Sequence, residues 1–420
     1  MRIWLVQTGE EMPSDGEDIR LLRTCLLARE LAGRGHDVVY CNSTFSHQKK
    51  VQRFASTTEL AQPDGYRGVF LYGQPYSSNI GLRRIFSHRD NAKAFLSWAR
   101  KEPLPDVIHC GLPPIELAEA ASTFAKHADL ASTVDCRDIW PEIIADRLSG
   151  PARFFASPVL GAWDRAKRRA LSAATAVTGV SDGFVDWGVQ SAGRQRQEID
   201  RTFHLATPPE PVPADRLEEG RQYWNGVLGA PMDGELVIAY AGTFSRRFDL
   251  GAVLDGADQL NPEERRRIRI VLCGSGDMMA EIQLRAAANE AVVHGGWRSR
   301  AELLALMERA SVGLLPYPNS RDFLITYPNK VGEYLTSGLP ILTGTRGAIE
   351  HLLAPLDLRI GYEAGDPEDI ARTLRSLLVR RDLPQLRAAA RELAKDQFDP
   401  ASIYPRFADW IEDVARRGRA

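Results

Sequence analysis

The stretch richest in chemistry is Tyr-Pro-Asn-Lys-Val-Gly-Glu-Tyr-Leu-Thr-Ser-Gly-Leu-Pro-Ile-Leu at residues 327–342. Pro328 and Asn329 can open a helix there, because a proline in the first turn gives up only an amide hydrogen bond that the turn could not make. Lys330 and Glu333 then stand one helical step apart on a common face. An ammonium in that position suits a diphosphate, and a carboxylate can accept both hydroxyl hydrogens of a ribose. By spacing alone the same two residues also fit an exposed ion pair worth roughly a few tenths of a kcal/mol.

Three other stretches end an apolar run in glycine. Ala-Tyr-Ala-Gly-Thr-Phe occupies residues 239–244. Gly242 would let the backbone approach a ligand closely, and the next helix could aim its N-terminal amides at an anion. Arg246 and Arg247 follow, suited to phosphate oxygens. Val-Leu-Cys-Gly-Ser-Gly-Asp at residues 271–277 reads as a strand running into a small flexible loop, at the carboxyl edge where open α/β sheets bind ligands. His-Gly-Gly-Trp at residues 294–297 is a third such edge, where Trp297 could flank a nucleobase or pack on the fold. In the first half, Asp138 follows an apolar run ending at Val134 and can reach a ligand or cap the helix that Pro141 begins. His109, within an apolar run, reads as a packed strand residue.

These residues need a scaffold that lines up strand ends, and the apolar pattern supplies it. Short buried-strand runs at residues 3–6, 37–41, 69–71, 107–110, 132–134 and 176–180 alternate with amphipathic helical segments such as residues 19–33, 90–101 and 114–127. Strand, helix, strand over about 40 residues is the βαβ unit of a parallel sheet. Residues 206–235 then gather Pro208, Pro209, Pro211, Pro213, Gly226, Gly229, Pro231 and Gly234, the best linker candidate, with some helix around residues 216–223. The alternation restarts with strands at residues 236–240, 268–273, 292–294, 312–315 and 340–342. The expectation is two doubly wound α/β domains, at residues 1–205 and 236–395. A C-terminal segment at 396–420 carries Tyr404, Phe407, Trp410, Ile411 and Val414 on one stripe, to pack against the body.

Bulk properties narrow the function. A net charge of -2 with 26% charged residues lacks the basic excess of a general nucleic-acid binder. Five dispersed cysteines without a C-x-x-C pair fit reduced thiols in a cytoplasmic protein. No run approaches the ~20 apolar residues of a membrane span, so the expected contact with a membrane is at most peripheral.

Taken in order, Gly-Thr-Phe, Gly-Ser-Gly-Asp, His-Gly-Gly-Trp, Leu-Leu-Pro-Tyr and Pro-Asn-Lys-x-x-Glu-Tyr-Leu-x-x-Gly-Leu-Pro-Ile resemble the donor domain of glycosyltransferase family 4. The first half is similar to a bacterial surface-polysaccharide branch of that family. The matching residues are Ser14-Asp15-Gly16, Arg23, Arg34-Gly35-His36-Asp37-Val38, Ser43-Thr44-Phe45 and Arg137-Asp138-Ile139-Trp140-Pro141-Glu142. The resemblance implies GT-B architecture, two Rossmann-like domains facing a central cleft, closing about residues 206–235. It implies a retaining transfer from a nucleotide-diphosphate sugar to a glycan or lipid-linked acceptor, at the cytoplasmic face of the inner membrane. Donor binding would fall to Gly242, Thr243, Phe244, Arg246, Arg247, Gly274, Ser275, Gly276, Trp297, Asn329, Lys330 and Glu333. Ser14, Asp15, Gly16, Asp138 and Glu142 would face the acceptor, with Asp138, Arg247 and Lys330 nearest the chemistry.

The chain departs from the family's pattern at two points. Ile325 stands where many members place a donor-sugar glutamate, and Gly111 where many carry a histidine. The sequence has no Asp-x-Asp, so no metal and no other cofactor is expected. The competing readings are a non-catalytic nucleotide-sugar-binding subunit and a nucleotide-sugar epimerase of the same fold.

Overall fold

The computed structural model describes residues 1–16, 19, 21–78, 81–206 and 212–418. They divide into two compact units, one of Met1–His204 with Pro400–Ala420, the other of Leu205–Asp399. Strands are numbered along the chain. In unit 1 they are β1 (Arg2–Val6), β2 (Asp37–Ser43), β3 (Phe45–Ser46), β4 (Val51–Gln52), β5 (Thr58–Ala61), β6 (Arg67–Leu71), β7 (Val107–Leu112), β8 (Ala131–Cys136), β9 (Ala176–Gly179) and β10 (Arg201–Thr202). In unit 2 they are β11 (Leu236–Phe244), β12 (Ile268–Gly276), β13 (Val292–Gly296), β14 (Val312–Leu314), β15 (Ile341–Thr343) and β16 (Arg359–Gly361).

The unit 1 sheet has the order β10-β9-β8-β7-β1-β2-β6-β5, parallel except for β5 on the edge. From β1 the chain winds outward through β2 to β6, then crosses back and winds the other way from β7 to β10. The winding therefore reverses between β1 and β7, the place where an open parallel sheet offers a crevice beyond its strand ends. Ile3, Trp4, Leu5 and Val6 are all fully buried, as a strand covered by helices on both faces requires. The C-terminal helix Pro400–Arg417 belongs to this unit and buries the stripe of Tyr404, Phe407, Trp410, Ile411 and Val414. Its Trp410 indole donates to the Ile199 carbonyl at 2.7 Å, and Asp409 and Glu412 hold Arg34 at 2.6 and 3.0 Å.

Unit 2 has the parallel order β13-β12-β11-β14-β15-β16. Successive residues of β11 alternate between two cores. Val237 and Ala239 pack with Trp224, Leu306, Leu335 and Leu386, while Leu236, Ile238 and Tyr240 pack with Leu254, Ile282 and Leu374. That period of two, apolar on both faces, is what a doubly wound sheet needs. Ordered structure also extends into residues 206–235. The helix Ala214–Leu228 packs on the helix Arg300–Arg309, with Trp224 buried and its indole donating to the Glu302 carbonyl at 2.6 Å. The prolines expected at 208, 209 and 211 lie outside the described residues. All five cysteines are buried and unlinked. Among the described residues no helix is long and apolar enough to cross a membrane.

Candidate active site

The carboxyl edge of the unit 2 sheet is made of backbone more than of side chains. β11 and β12 keep register to their ends, Gly242 opposite Gly274 and Phe244 opposite Gly276. A Cβ on Gly274 would stand 1.8 Å from the Gly242 carbonyl oxygen, and one on Gly276 2.2 Å from that of Phe244. Both glycines also have positive φ, 143° and 155°. Gly274, Ser275 and Gly276 are therefore paired strand and not the flexible loop expected, and the glycines there answer a backbone contact. For the same reason the next helix starts only at Leu250, beyond a turn, so its amides do not follow directly on Gly242.

Lys330 reaches this edge from the helix Asn329–Thr336, whose first turn has no side-chain cap. Its side chain lies over Gly242, where a Cβ would come 2.7 Å from Lys330 Cε and 3.0 Å from Nζ. The ammonium stands 5.7 Å from the centre of the Tyr240 ring, whose hydroxyl donates to the Thr243 carbonyl at 2.8 Å. Glu333 is half-buried one turn along. Burial, with the Glu333 charge adding to it, pushes the Tyr317 phenol up to about 12. The Arg246 guanidinium turns to Glu281 at 3.2 Å, while its main-chain N–H donates to Asp277 at 3.0 Å. Arg247 is exposed, with its N–H donating to Ser245 Oγ at 3.2 Å. Trp297 is 78% exposed just past β13.

The corresponding edge of unit 1 is crowded with charge. Arg23 forks onto Asp135 at 2.8 and 3.0 Å, and Arg137 reaches the same carboxylate at 2.7 Å. Arg137 also meets Glu10 at 2.5 Å, and Glu10 in turn accepts from Thr24 Oγ1 at 2.7 Å and from the Thr24 main-chain N–H at 3.0 Å. Burial would raise the Asp135 carboxyl, but the two guanidinium groups hold it well below the usual carboxylate range. His109, buried beside it with Nδ1 2.7 Å from Thr133 Oγ1, is pushed down to about 3 by burial. It is the packed strand residue expected.

Where the winding reverses, unit 1 holds a cavity of about 190 Å³. Its floor is Gln7, Thr8 and Gly9 after β1 and Pro113 and Pro114 after β7, and its walls include Ser43, Phe45, His47, Tyr76, Arg84, Ser87, His88 and Asn91. Arg84 lies over the Trp140 ring at 4.8 Å, and its Nε donates to His88 Nε2 at 3.4 Å. His47 Nδ1 is 2.7 Å from the Tyr76 hydroxyl.

Residues 235–380 match the family described as Glycosyl transferases group 1. They are a glycosyltransferase domain. No curated protein matches the chain. Among solved structures it is similar to HepE of Anabaena, crystallised with UDP, at 12% identity over 98% of this chain and 99% of that one, with TM-score 0.66. Sucrose-phosphate synthase from Thermosynechococcus elongatus is similar at 14% identity over 99% of both chains, with TM-score 0.69. WaaG, a glycosyltransferase involved in lipopolysaccharide biosynthesis, is similar at 16% identity over 98% and 99%, with TM-score 0.61. The fold is of GT-B type, with two Rossmann-like domains, and the protein is a transferase.

All the donor-side residues expected from the sequence lie within the glycosyltransferase domain. Gly242 and Lys330 touch, Asn329 and Glu333 share the lysine's helix, and Thr243 and Ser275 are exposed at neighbouring strand ends. Phe244 does not join them through its side chain, which is fully buried against Tyr240 and His294 at 6.3 Å each. The acceptor-side residues of unit 1 turn mostly to their own neighbours. Asp15 accepts from Arg53 at 2.5 Å and from the Met12 N–H at 2.8 Å, while the Ser14 N–H donates to Gln62 at 3.2 Å and Gly16 closes that turn. Glu142 Oε1 is taken up by Lys167 at 2.6 Å and the Trp187 indole at 3.1 Å, anchoring its helix. Asp138 accepts from the Ile139 N–H at 2.9 Å and the Trp140 indole at 3.1 Å, so it orients the ring beneath Arg84 and is not the cap of the following helix. The sequence reading missed Arg84, His88 and Asn91. Their spacing of four and three residues puts all three on one helical face, but the helix Leu82–Ala99 begins earlier than its apolar pattern indicates.

Proposed function

We propose that this protein is a retaining glycosyltransferase of family 4, moving a sugar from a nucleotide-diphosphate sugar to a hydroxyl of a glycan or lipid-linked acceptor in bacterial surface-polysaccharide synthesis. The observation that carries the reading is the seat of Lys330 on Gly242 at the end of β11, with Glu333 one turn away, inside the matched domain. Glu333 would accept the ribose hydroxyls, and Lys330 and Arg247 would meet the diphosphate, Arg246 being turned to Glu281. Negative charge grows on that diphosphate as the sugar-phosphate bond breaks through an oxocarbenium-like transition state. Fixed cations and the amides opening the Asn329–Thr336 helix stabilise it. The donor's own phosphate oxygen takes the acceptor's proton, so the reaction needs no strong enzymic base and no metal. Asp138 serves as a positioning residue in the acceptor unit.

The reading is tested by thermal shift with a panel of nucleotide sugars, followed by transfer assays with the ligand that stabilises. Lys330→Ala is expected to lower kcat/KM roughly 10²–10³-fold, and Glu333→Ala to weaken nucleotide binding about tenfold or more. Full transfer activity in both variants would refute the site. Release of free sugar without an acceptor would point to a hydrolysing epimerase instead. Peripheral contact with the cytoplasmic membrane face is supported by Phe154 and Phe155, 74% and 78% exposed side by side. Sedimentation with anionic vesicles checks it, since Phe154→Ser with Phe155→Ser should leave the protein in the supernatant.

A further inference from the structure

We infer that the cavity between the ends of β1 and β7 binds an oxyanion carried by the acceptor, with Arg84 as the residue that selects for it. This rests on the acceptor entering from unit 1, as in the function proposed above. Three observations support it. The cavity stands at the reversal of strand winding, where a parallel sheet directs ligands. Its volume of about 190 Å³ takes one group of a larger ligand and not a whole nucleotide sugar. Its described lining includes Arg84, His47 and His88 but neither aspartate nor glutamate.

Charge around the cavity favours the same ligand. Burial holds His47 down at about 4, and Arg84, Lys50 and His88 push it the same way, so the field at its ring is positive. Glu116 lies behind His88, 3.7 Å from Nδ1, and with Asp138 it offsets part of the Arg84 charge. The guanidinium plane rests on Trp140, which fixes its fork while the indole is held by Asp138. A planar, pre-oriented fork is suited to two oxygens of a phosphate or a carboxylate. Asn91 is committed to Ser43 and to the Leu71 and Tyr72 carbonyls, so it builds the wall and leaves the anion to Arg84.

Isothermal titration of the full-length protein with glucose 6-phosphate, methyl glucuronide and neutral methyl glucoside tests this. The proposal expects one of the two anionic sugars to bind at least tenfold more tightly than the neutral one, and which one names the oxyanion as phosphate or carboxylate. Arg84→Gln should abolish that difference, whereas Lys330→Ala, at the donor site, should keep it. Arg84→Lys, which preserves the charge but not the fork, should recover part of the affinity with an unchanged melting temperature, so a folding defect in Arg84→Gln does not decide the matter. Equal binding of all three sugars, or loss of the anionic preference in Lys330→Ala alone, would overturn the proposal. Donor titrations in the same variants report separately on the function proposed above, because a nucleotide sugar should still bind Arg84→Gln.

Discussion

The two Rossmann-like units share one winding pattern but treat the anion position at the carboxyl edge of the sheet in opposite ways. In unit 1 the amides at the start of the helix Arg23–Gly33 are met by the chain's own Glu10, which accepts from the Thr24 N–H at 3.0 Å while bracing Arg137. A carboxylate at a helix N-terminus satisfies amide donors and the helix dipole together. In unit 2 the equivalent edge is glycine backbone with exposed or half-buried side chains, Arg247, Lys330 and Glu333, beside it. The first arrangement is a finished internal structure and the second is suited to an anion from outside. The difference locates stability in unit 1's Glu10–Arg137 network and, under the function proposed above, donor chemistry at unit 2's edge.

Removing Asp135 is the strongest way to break the unit 1 side of this comparison. Asp135→Ala would leave Arg23 and Arg137 buried without their common partner, Arg137 keeping only Glu10, and losing one member of a buried network costs about 3–5 kcal/mol. Urea unfolding should show a midpoint lowered accordingly, with nucleotide-sugar affinity of the folded protein retained. An unchanged midpoint would mean that the network is not what holds unit 1.

Acid should act on the same unit and more gently. His109 is held neutral down to about 3, against an ordinary value near 6.5, so the unfolded chain takes up a proton that the folded chain refuses. Its contribution is fully present above about pH 6.5 and is lost as pH falls toward 3. Asp135, also held low, adds a loss of the same sign below about pH 4, where the unfolded carboxyl protonates. Melting temperature against pH should therefore fall through this window, and His109→Gln should flatten the upper part of the fall. A flat profile in the unsubstituted protein would contradict the assignment.

Much of this contrast was legible in the sequence, and for a physical reason. Strands buried on both faces read as apolar runs, so residues 3–6, 107–110 and 236–240 announced themselves, as did the Pro-Asn opening of the Lys330 helix, whereas the last four residues of β11 read as a glycine turn. Glycine carried a double meaning. Gly242 reads correctly as a place of close approach, but what approaches is the chain's own Lys330, and Gly274 and Gly276 are demanded by β11 pressing on β12. The cavity with Arg84 and His88 was invisible because it joins residues from four separate segments, and no local period marks such a convergence. Glu10 was likewise silent, since a lone glutamate in a loop shows nothing of the helix it will cap 14 residues later.

The two glycines give the finest test of where fold ends and function begins. An alanine at Gly274 would put its Cβ 1.8 Å from a backbone oxygen that cannot move without unzipping β11 from β12, and it would sit at positive φ. Gly274→Ala is expected to cost about 1–3 kcal/mol of stability in unfolding experiments. An alanine at Gly242 meets side-chain atoms instead, Lys330 Cε at 2.7 Å and the Tyr240 hydroxyl at 3.0 Å, which give way more readily than backbone. Gly242→Ala should leave the melting temperature within about one or two degrees and yet weaken donor binding roughly tenfold, because Lys330 would no longer lie along the strand end. If Gly242→Ala proved as destabilising as Gly274→Ala while binding donor normally, Gly242 would be one more strand-packing glycine, and the edge of unit 2 would be as internally committed as the Glu10–Arg137 network of unit 1.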